Sequence, residues 1–307
     1  MNDKTVKLHT KNFRKKFSTV HKTSLFLMGT LLILASGCVK DDLYNTPHPD
    51  RGAVVVTTDW TNRSEESKLP DSYVIRIGDK EQTSGGSQAV FEQLLNPDTY
   101  EVLVYNVPDG IAVEGDIARV NAFTIASKAD HVEEPTFIQP QPGYLYAASQ
   151  RITVAEDDTL RFTAPMKQLV RQLEIELSVT EGDYSRVVSA TATLGGVERA
   201  VHLYTAALQG EAAVTRNAFV QDGKLFRTGF RLLGIVPTEE QVLTTVITFT
   251  DGTRQTVESD LSQYLSAFGD SRKPLKLTGN LLLPLEADVS GDITKWEQVT
   301  GSDVSAE

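Results

Sequence analysis

Cys38 is the only cysteine in the 307-residue chain. A single thiol forms no intrachain disulfide, and it brings no second soft ligand to a metal. As a nucleophile it would need an activating base within hydrogen-bond reach. Three histidines follow it, His48, His131 and His202, far apart in sequence and with no HExxH pair. His48 sits between prolines and His202 in a run with strand character, so solvated or packed imidazoles are expected rather than ligands. No GxSxG elbow and no P-loop spacing occurs. The glycine-containing "IGDKEQTSGG" lacks the Lys-Ser/Thr of a phosphate cradle and reads as a hairpin loop. With 41 acidic residues, counting singles out no general acid–base pair. Asp288 and Asp292 in "DVSGD" miss the Asp-x-Asp-x-Asp-Gly spacing and the distal Glu of a calcium loop. Trp60 and Trp296 have no aromatic neighbour in sequence with which to flank a sugar, and a core or edge role is expected for each. The residue types therefore point to no enzyme, no metal and no cofactor.

The chemistry left to Cys38 is covalent, and its flanks say which. Lys4, Lys7, Lys11, Arg14, Lys15, Lys16 and Lys22 form a basic lead, followed by the apolar run "SLFLMGTLLILA" from Ser24 to Ala35. A bilayer span needs about 20 such residues, so this shorter run fits the core of a secretory signal instead. Ala35, Ser36 and Gly37 then precede the cysteine. The arrangement resembles a bacterial lipobox, with Ala35 where leucine is usual and Leu34 one step earlier. In such a motif the chain is cut before the cysteine, which carries acyl chains. Each buried methylene contributes about 0.8 kcal/mol, so two or three chains hold a protein on a membrane. Residues 1–37 thus read as a lipoprotein signal peptide and residues 38–51 as a lipidated tether, whose "YNTPHPDRG" has a composition suited to extended chain. Lys40, Asp41 and Asp42 resemble the surface-export signal of lipoproteins in the Bacteroidetes lineage. That places the chain on the outer membrane, facing the cell exterior. Arg51 is a candidate processing site just before the first strand. Asp158-Thr159-Leu160 resembles a short O-glycosylation motif of surface proteins in the same lineage, with Thr159 as acceptor.

Loss of residues 1–37 removes seven basic residues and one acidic residue and takes the formal charge from −11 to −17. So acidic a chain disfavours nucleic acid and anionic lipid as partners, because both need a basic footprint, and no nucleic-acid partner is expected. An apolar fraction of 40% is ordinary for a globular protein.

The elements that must carry these groups read as strands. "GAVVVTTDW" is β-branched and unbroken, and "SYVIRIG" alternates. "DKEQTSGG" reads as a turn, "SQAVFEQLL" as a strand, and "LNPDTYEVLVYNV" as a turn feeding a strand with Tyr100, Val102 and Val104 on one face. "YLYAASQRITVAEDDTLRFTAP" gives two strands separated at "EDD". In "QLVRQLEIELSV", Leu169, Arg171, Leu173, Ile175 and Leu177 share the period of a strand. Further strands follow, with Asp251-Gly252 as a hairpin turn in "VITFTDGTRQTVE". One short helix is expected in "DLSQYLSAF", capped by Asp260, with Leu261, Tyr264 and Leu265 at helical spacing. Strand spacing of this kind suits β-sandwiches. The expected layout is all-β, with an N-terminal sandwich domain over 52–165 and a C-terminal one over 166–307.

The order of these segments resembles the fimbrillin superfamily of Bacteroidales, in particular its FimB-like, lipid-anchored anchor and accessory subunits. The resemblance is carried by the lipobox close to "KDDL", by "VVVTTDW", by "LLNPDTYEVLVYN", by "LRFTAPMKQLVRQLEIELSV", and by the ending "LKLTGNLLLPLEADVSGDITKWEQV". It implies two tandem transthyretin-like (Ig-like, Greek-key) β-sandwich domains and a non-enzymatic role in fimbrial assembly. The implied partners are other fimbrial subunits, joined by strand exchange. The polar tail "EQVTGSDVSAE" is a poor donor strand, which suits one end of a polymer. Two other roles compete: a polymerising stalk subunit processed near Arg51, and a glycan-binding surface lipoprotein, which would need an aromatic platform on a sandwich edge. Radiolabelled palmitate is expected to enter the wild-type chain and not Cys38→Ala; equal labelling of the two would remove the lipid from the account.

Overall fold

The computed structural model describes residues 50–124, 135–269, 273–284 and 291–299. These lie in one compact unit, Pro49–Glu307. The signal region, Cys38, Lys40, Asp41, Asp42, His48, His131, Asp288 and the tail after Val299 lie outside the described residues.

The first strands are β1 (Ala53–Asp59), β2 (Tyr73–Ile77), β3 (Lys80–Ser84), β4 (Gln88–Val90) and β5 (Asp98–Tyr105). Four short ones follow: β6 (Ile111–Glu114), β7 (Ile117–Val120), β8 (Ala122–Thr124) and β9 (Thr136–Ile138). Next come β10 (Tyr146–Val154), β11 (Thr159–Pro165), β12 (Lys167–Gln168), β13 (Arg171–Glu181), β14 (Val187–Glu198) and β15 (Ala200–His202). The chain continues through β16 (Ala212–Ala218), β17 (Val220–Asp222), β18 (Leu225–Leu232), β19 (Val242–Phe249) and β20 (Arg254–Asp260). The single-turn helix α1 (Ser262–Leu265), β21 (Leu275–Leu282) and β22 (Asp292–Val299) complete it.

The strands form β-sandwiches. A three-stranded sheet, β11-β1-β4, faces a five-stranded one, β12-β10-β5-β2-β3, across Val54, Val56, Ile75, Ile77, Val102, Val104 and Met166. A second core contains Leu173, Ile175 and Leu177 of β13 with Leu194, Phe226, Phe230, Leu243, Ile247 and Leu277. It lies between the five-stranded sheet β17-β18-β13-β21-β22 and the six-stranded sheet β20-β19-β14-β16-β9-β8. β13 shows why the pattern dictates this. Arg171, Leu173, Ile175, Leu177 and Val179 are buried, while the residues between them are half-buried, so a slip of one residue would exchange the two sets.

β5 serves both cores. Val102 and Val104 enter the first, whereas Leu103 and Tyr105 enter the second. The run "VLVY" therefore has no polar alternation, as expected of a strand buried on both faces. Over it lies the sheet β15-β7-β6. There β7 pairs antiparallel with β15, from Ala200↔Arg119 to His202↔Ile117. β9 pairs parallel with β16 at Val214↔Phe137 and Thr215↔Ile138. Strands β6 to β9 thus take part in sheets built with strands that follow residue 166.

A buried carboxylate fixes that junction. Glu198 is 1% exposed. Its Oε1 accepts the backbone N–H groups of Arg199 (3.0 Å), Ala200 (2.9 Å) and Glu211 (3.0 Å), and its Oε2 accepts that of Gly210 (2.7 Å). Nearby, Glu211 bridges Arg119 at 3.0 Å and Arg199 at 2.6 Å, tying β7 to the turn entering β15.

Several expectations need correction. "DKEQTSGG" is no turn or loop: Lys80–Ser84 form β3, paired with β2 from Ile77↔Lys80 to Tyr73↔Ser84. The turn is only Gly78-Asp79, with Gly78 at φ +60°. β3 was illegible because an edge strand with no buried face needs no apolar alternation. In "SQAVFEQLL" only Gln88–Val90 is strand, although Phe91 and Leu95 are buried from irregular backbone. The helix has Leu261 at its N-cap. Asp260 instead accepts the N–H and O–H of Ser262. Leu261 and Leu265 are buried, as their spacing requires.

Glu198→Ala strands four backbone donors and is expected to lower stability by about 3 kcal/mol or more, since hydrogen bonds to charged groups are each worth about 1.5–3 kcal/mol. Glu198→Gln, which keeps an acceptor, should fall between. Urea unfolding midpoints measure this, and an unshifted midpoint for Glu198→Ala would show that the cradle does not hold the junction.

Candidate assembly interface

The first described residues enter the fold tightly. Gly52 N–H donates to Leu95 O and Leu95 N–H donates to Gly52 O, both at 2.9 Å. Ala53 N–H donates to Asp158 O at 2.9 Å, and Arg51 O accepts Asp157 N–H at 3.3 Å. Arg51 is exposed, but Gly52 is buried. A Cβ added at Gly52 would lie 2.3 Å from Ala155 O and 2.5 Å from Val154 Cγ1, so the position admits only glycine without backbone shifts. Both polar groups of the Arg51–Gly52 peptide bond are therefore engaged. A protease must take its substrate as extended backbone, and this bond is held by the fold.

From Gly52 the chain runs into β1, which pairs parallel with β11 over seven residue pairs, Ala53↔Thr159 to Asp59↔Pro165. β11 is the edge of its sheet. Thr159, Arg161 and Thr163 are exposed, while Leu160 and Phe162 are only half-buried against the first core. The cause is geometric: three strands face five and cannot cover them. Among the described residues no strand pairs with the outer side of β11, so that edge offers a backbone ladder beside apolar side chains that a further strand would bury. The opposite edge of the larger sheet is different. β3 carries Lys80, Glu81 and Gln82, and Arg76 is bonded to Glu81, to Asp116 Oδ1 (2.8 Å) and to Tyr105 Oη (3.2 Å). Charge of this kind blunts an edge. Thr159 itself opens β11 with an exposed side chain, and its N–H donates to Asp158 Oδ1 at 2.7 Å.

The two tryptophans pack inward. Trp60 stands edge-on to Tyr146 at 5.3 Å and to Tyr73 at 6.4 Å, and its Nε1–H donates to Thr58 Oγ1 at 2.9 Å. Trp296 packs against the second core, and its carbonyl accepts the Tyr264 hydroxyl at 3.1 Å. His202 lies 6.1 Å from the Tyr204 ring. Asp292 is exposed at the start of β22.

The titrating groups serve structure. Asp59, Asp183, Asp251 and Asp260 are held below the usual carboxylate range by hydrogen bonds from Thr61, Ser185, Thr253 and Ser262, each two residues on. These are side-chain turn staples. The Arg227 guanidinium, with Lys276 adding to it, lowers Glu176. Burial raises the hydroxyls of Tyr73, Tyr105 and Tyr146. Among the described residues no three His, Cys, Asp or Glu side chains converge to hold a metal ion.

Residues 71–300 match the model of the fimbrillin-A associated anchor proteins Mfa1 and Mfa2. The chain belongs to this family. Solved structures share its fold. The fimbrial anchor protein Mfa2 from Porphyromonas gingivalis superposes with a TM-score of 0.51 at 12% identity, over 81% of this chain and 97% of that one. A candidate adhesin from Bacteroides ovatus ATCC 8483 gives 0.54 at 15% identity, over 85% and 98%. At such identities the likeness is one of fold. No curated protein matches the sequence closely enough to count as a relative. Family membership and the all-β sandwich agree with what "LNPDTYEVLVYN" and the segments around it implied.

The engaged Arg51–Gly52 bond gives a direct expectation. Limited trypsin treatment of the folded protein should yield no early product beginning at Gly52, because cleavage requires prior opening of the Gly52–Leu95 bridge. An early Gly52 terminus would show that the bond is freely presented.

Proposed function

We propose that this chain is a lipid-anchored base subunit of a fimbria. The single observation that carries the reading is the family match across residues 71–300. Cys38 bears the acyl chains, and Lys40, Asp41 and Asp42 direct the chain to the outer face of the outer membrane. Residues 52–165 and 166–307 act as its two domains, interlocked through β6 to β9, with no catalytic role. A neighbouring fimbrial subunit donates a strand, and the β11 edge receives it. That strand gains ladder hydrogen bonds and covers Leu160 and Phe162 in one step. Thr159 is a glycan acceptor at the end of the same strand. Among the described residues no helix is long and apolar enough to cross a membrane.

The stalk reading requires cutting at Arg51. The bonds on both sides of that peptide weigh against it.

Deleting the gene should release fimbriae into the medium or change their length, and Cys38→Ala should reproduce the release. Phe162→Lys should leave the protein on the cell yet reduce the fimbrial subunit that co-purifies with it at least tenfold. Fimbriae containing many copies that begin at Gly52 would make the chain a stalk subunit, and unchanged co-purification would remove β11 as the acceptor.

A further inference from the structure

A cleft of about 670 Å³ opens beside the β8–β9 hairpin. Phe123 of β8 and Phe137 of β9 are direct cross-strand partners, with ring centres 5.8 Å apart and planes 25° apart. Phe123 is 45% exposed on the edge strand of the six-stranded sheet. On the other side of β9, Arg216 of β16 lays its guanidinium 5.2 Å from the centre of the Phe137 ring. Arg231 of β18 lines the same cleft, stacked 5.9 Å from the centre of the Tyr144 ring.

Both arginines of the cleft lack an acidic partner among the described residues, although they lie together in one concave site. The chain has 41 acidic residues to 30 basic ones, so partners for guanidinium are plentiful. Yet among the described residues neither Arg216 nor Arg231 has a carboxylate within ion-pair distance. Arg216 Nε donates only to Thr193 Oγ1, at 3.2 Å, and Arg231 Nε is buried with no hydrogen-bond partner. Exposed aromatic surface beside uncompensated positive charge marks a site for an anion with an apolar face.

The backbone around the cleft narrows the choice. β9 and β16 are paired on both sides. Beyond its pairing with β17, which ends at Arg227, the side of β18 left open is occupied by a side chain that copies a strand: Gln141 Oε1 accepts Arg231 N–H at 3.1 Å, and Gln141 Nε2 donates to Gly229 O at 3.2 Å. Asn217 Nδ2 donates to the same carbonyl at 2.8 Å. The one edge that remains here is β8, of only three residues, so a peptide finds at most a short ladder and the ligand is read chiefly by side chains. The net negative charge of the chain also repels an extended polyanion. A compact hydroxylated ring carrying one carboxylate meets each condition: its C–H face covers Phe123, its hydroxyls meet the amides, and its carboxylate pairs with guanidinium.

We propose that this cleft is a binding site for a carboxylated saccharide, of the uronate or sialate kind. The proposal stands apart from the anchor reading, and release of fimbriae on gene deletion bears on that reading alone. Calorimetric titration of the full-length protein with digalacturonate and with sialyllactose tests it and separates the two sources of carboxylate. One of them should bind, with lactose and galactobiose at least tenfold weaker. Phe123→Ala and Arg216→Gln should each weaken binding at least tenfold while leaving the melting temperature unchanged, since both side chains are exposed. Arg231→Gln should do the same to binding, with circular dichroism reporting its fold. The proposal is overturned if neither carboxylated saccharide binds at millimolar concentration. It is equally overturned if the variants bind like wild type, or if tetraglutamate binds better than either sugar.

Discussion

The fold depends on one strand end that has no solvent face. From Val102 to Tyr105, β5 gives alternate side chains to two different cores. Fully burying a residue of this kind stabilises by about 1.5–3 kcal/mol, but only if both covering layers are present. The covering layer on the second side is supplied by the sheet β15-β7-β6, whose outer strand comes from beyond residue 166. Neither half of the chain can therefore complete its burial alone. Glu198 and the Arg119–Glu211–Arg199 bridge lie where this dependence is greatest, and there the polar groups are most fully satisfied.

The distribution of polar chemistry is informative about function. Buried and half-buried polar groups are mostly spent on turns, on corners and on holding strands in register. Glu198 serves four backbone N–H groups, the shifted aspartates staple turns, and Gln141 imitates a strand for β18. The sheet edges differ in polar chemistry too. The difference between β11 and β3 is then meaningful: one edge keeps its apolar flank half-covered, while the other is closed by charge.

Much of the fold was legible from apolar periodicity. β1, β5, β13, β19 and the Asp251-Gly252 hairpin announce themselves because each has a buried face or an obligatory turn. β3 did not, because it is a polar edge. The strands β6 to β9 did not, because each has only three or four residues and takes its stability from partners far along the chain. For the same reason the Phe123–Phe137 pair was invisible: its members are 14 positions apart, in strands too short to read. Arg51 was legible as a residue type. The engagement of its peptide bond was not, since Leu95, Asp157 and Asp158 reach it only through the fold.

The parallel pairing of β1 with β11 has a mechanical meaning. The chain N-terminal to Gly52 leads straight into β1, and seven residue pairs join that strand to β11. Traction along the strand axis draws on all of these pairs together, whereas peeling from one end would open them in succession. Rupture under force is governed by the rate of unfolding, and a ladder strained in shear must fail as a whole. Pulled by its N-terminal end in this direction, the first strand behaves as a rivet and not as the tab of a zip.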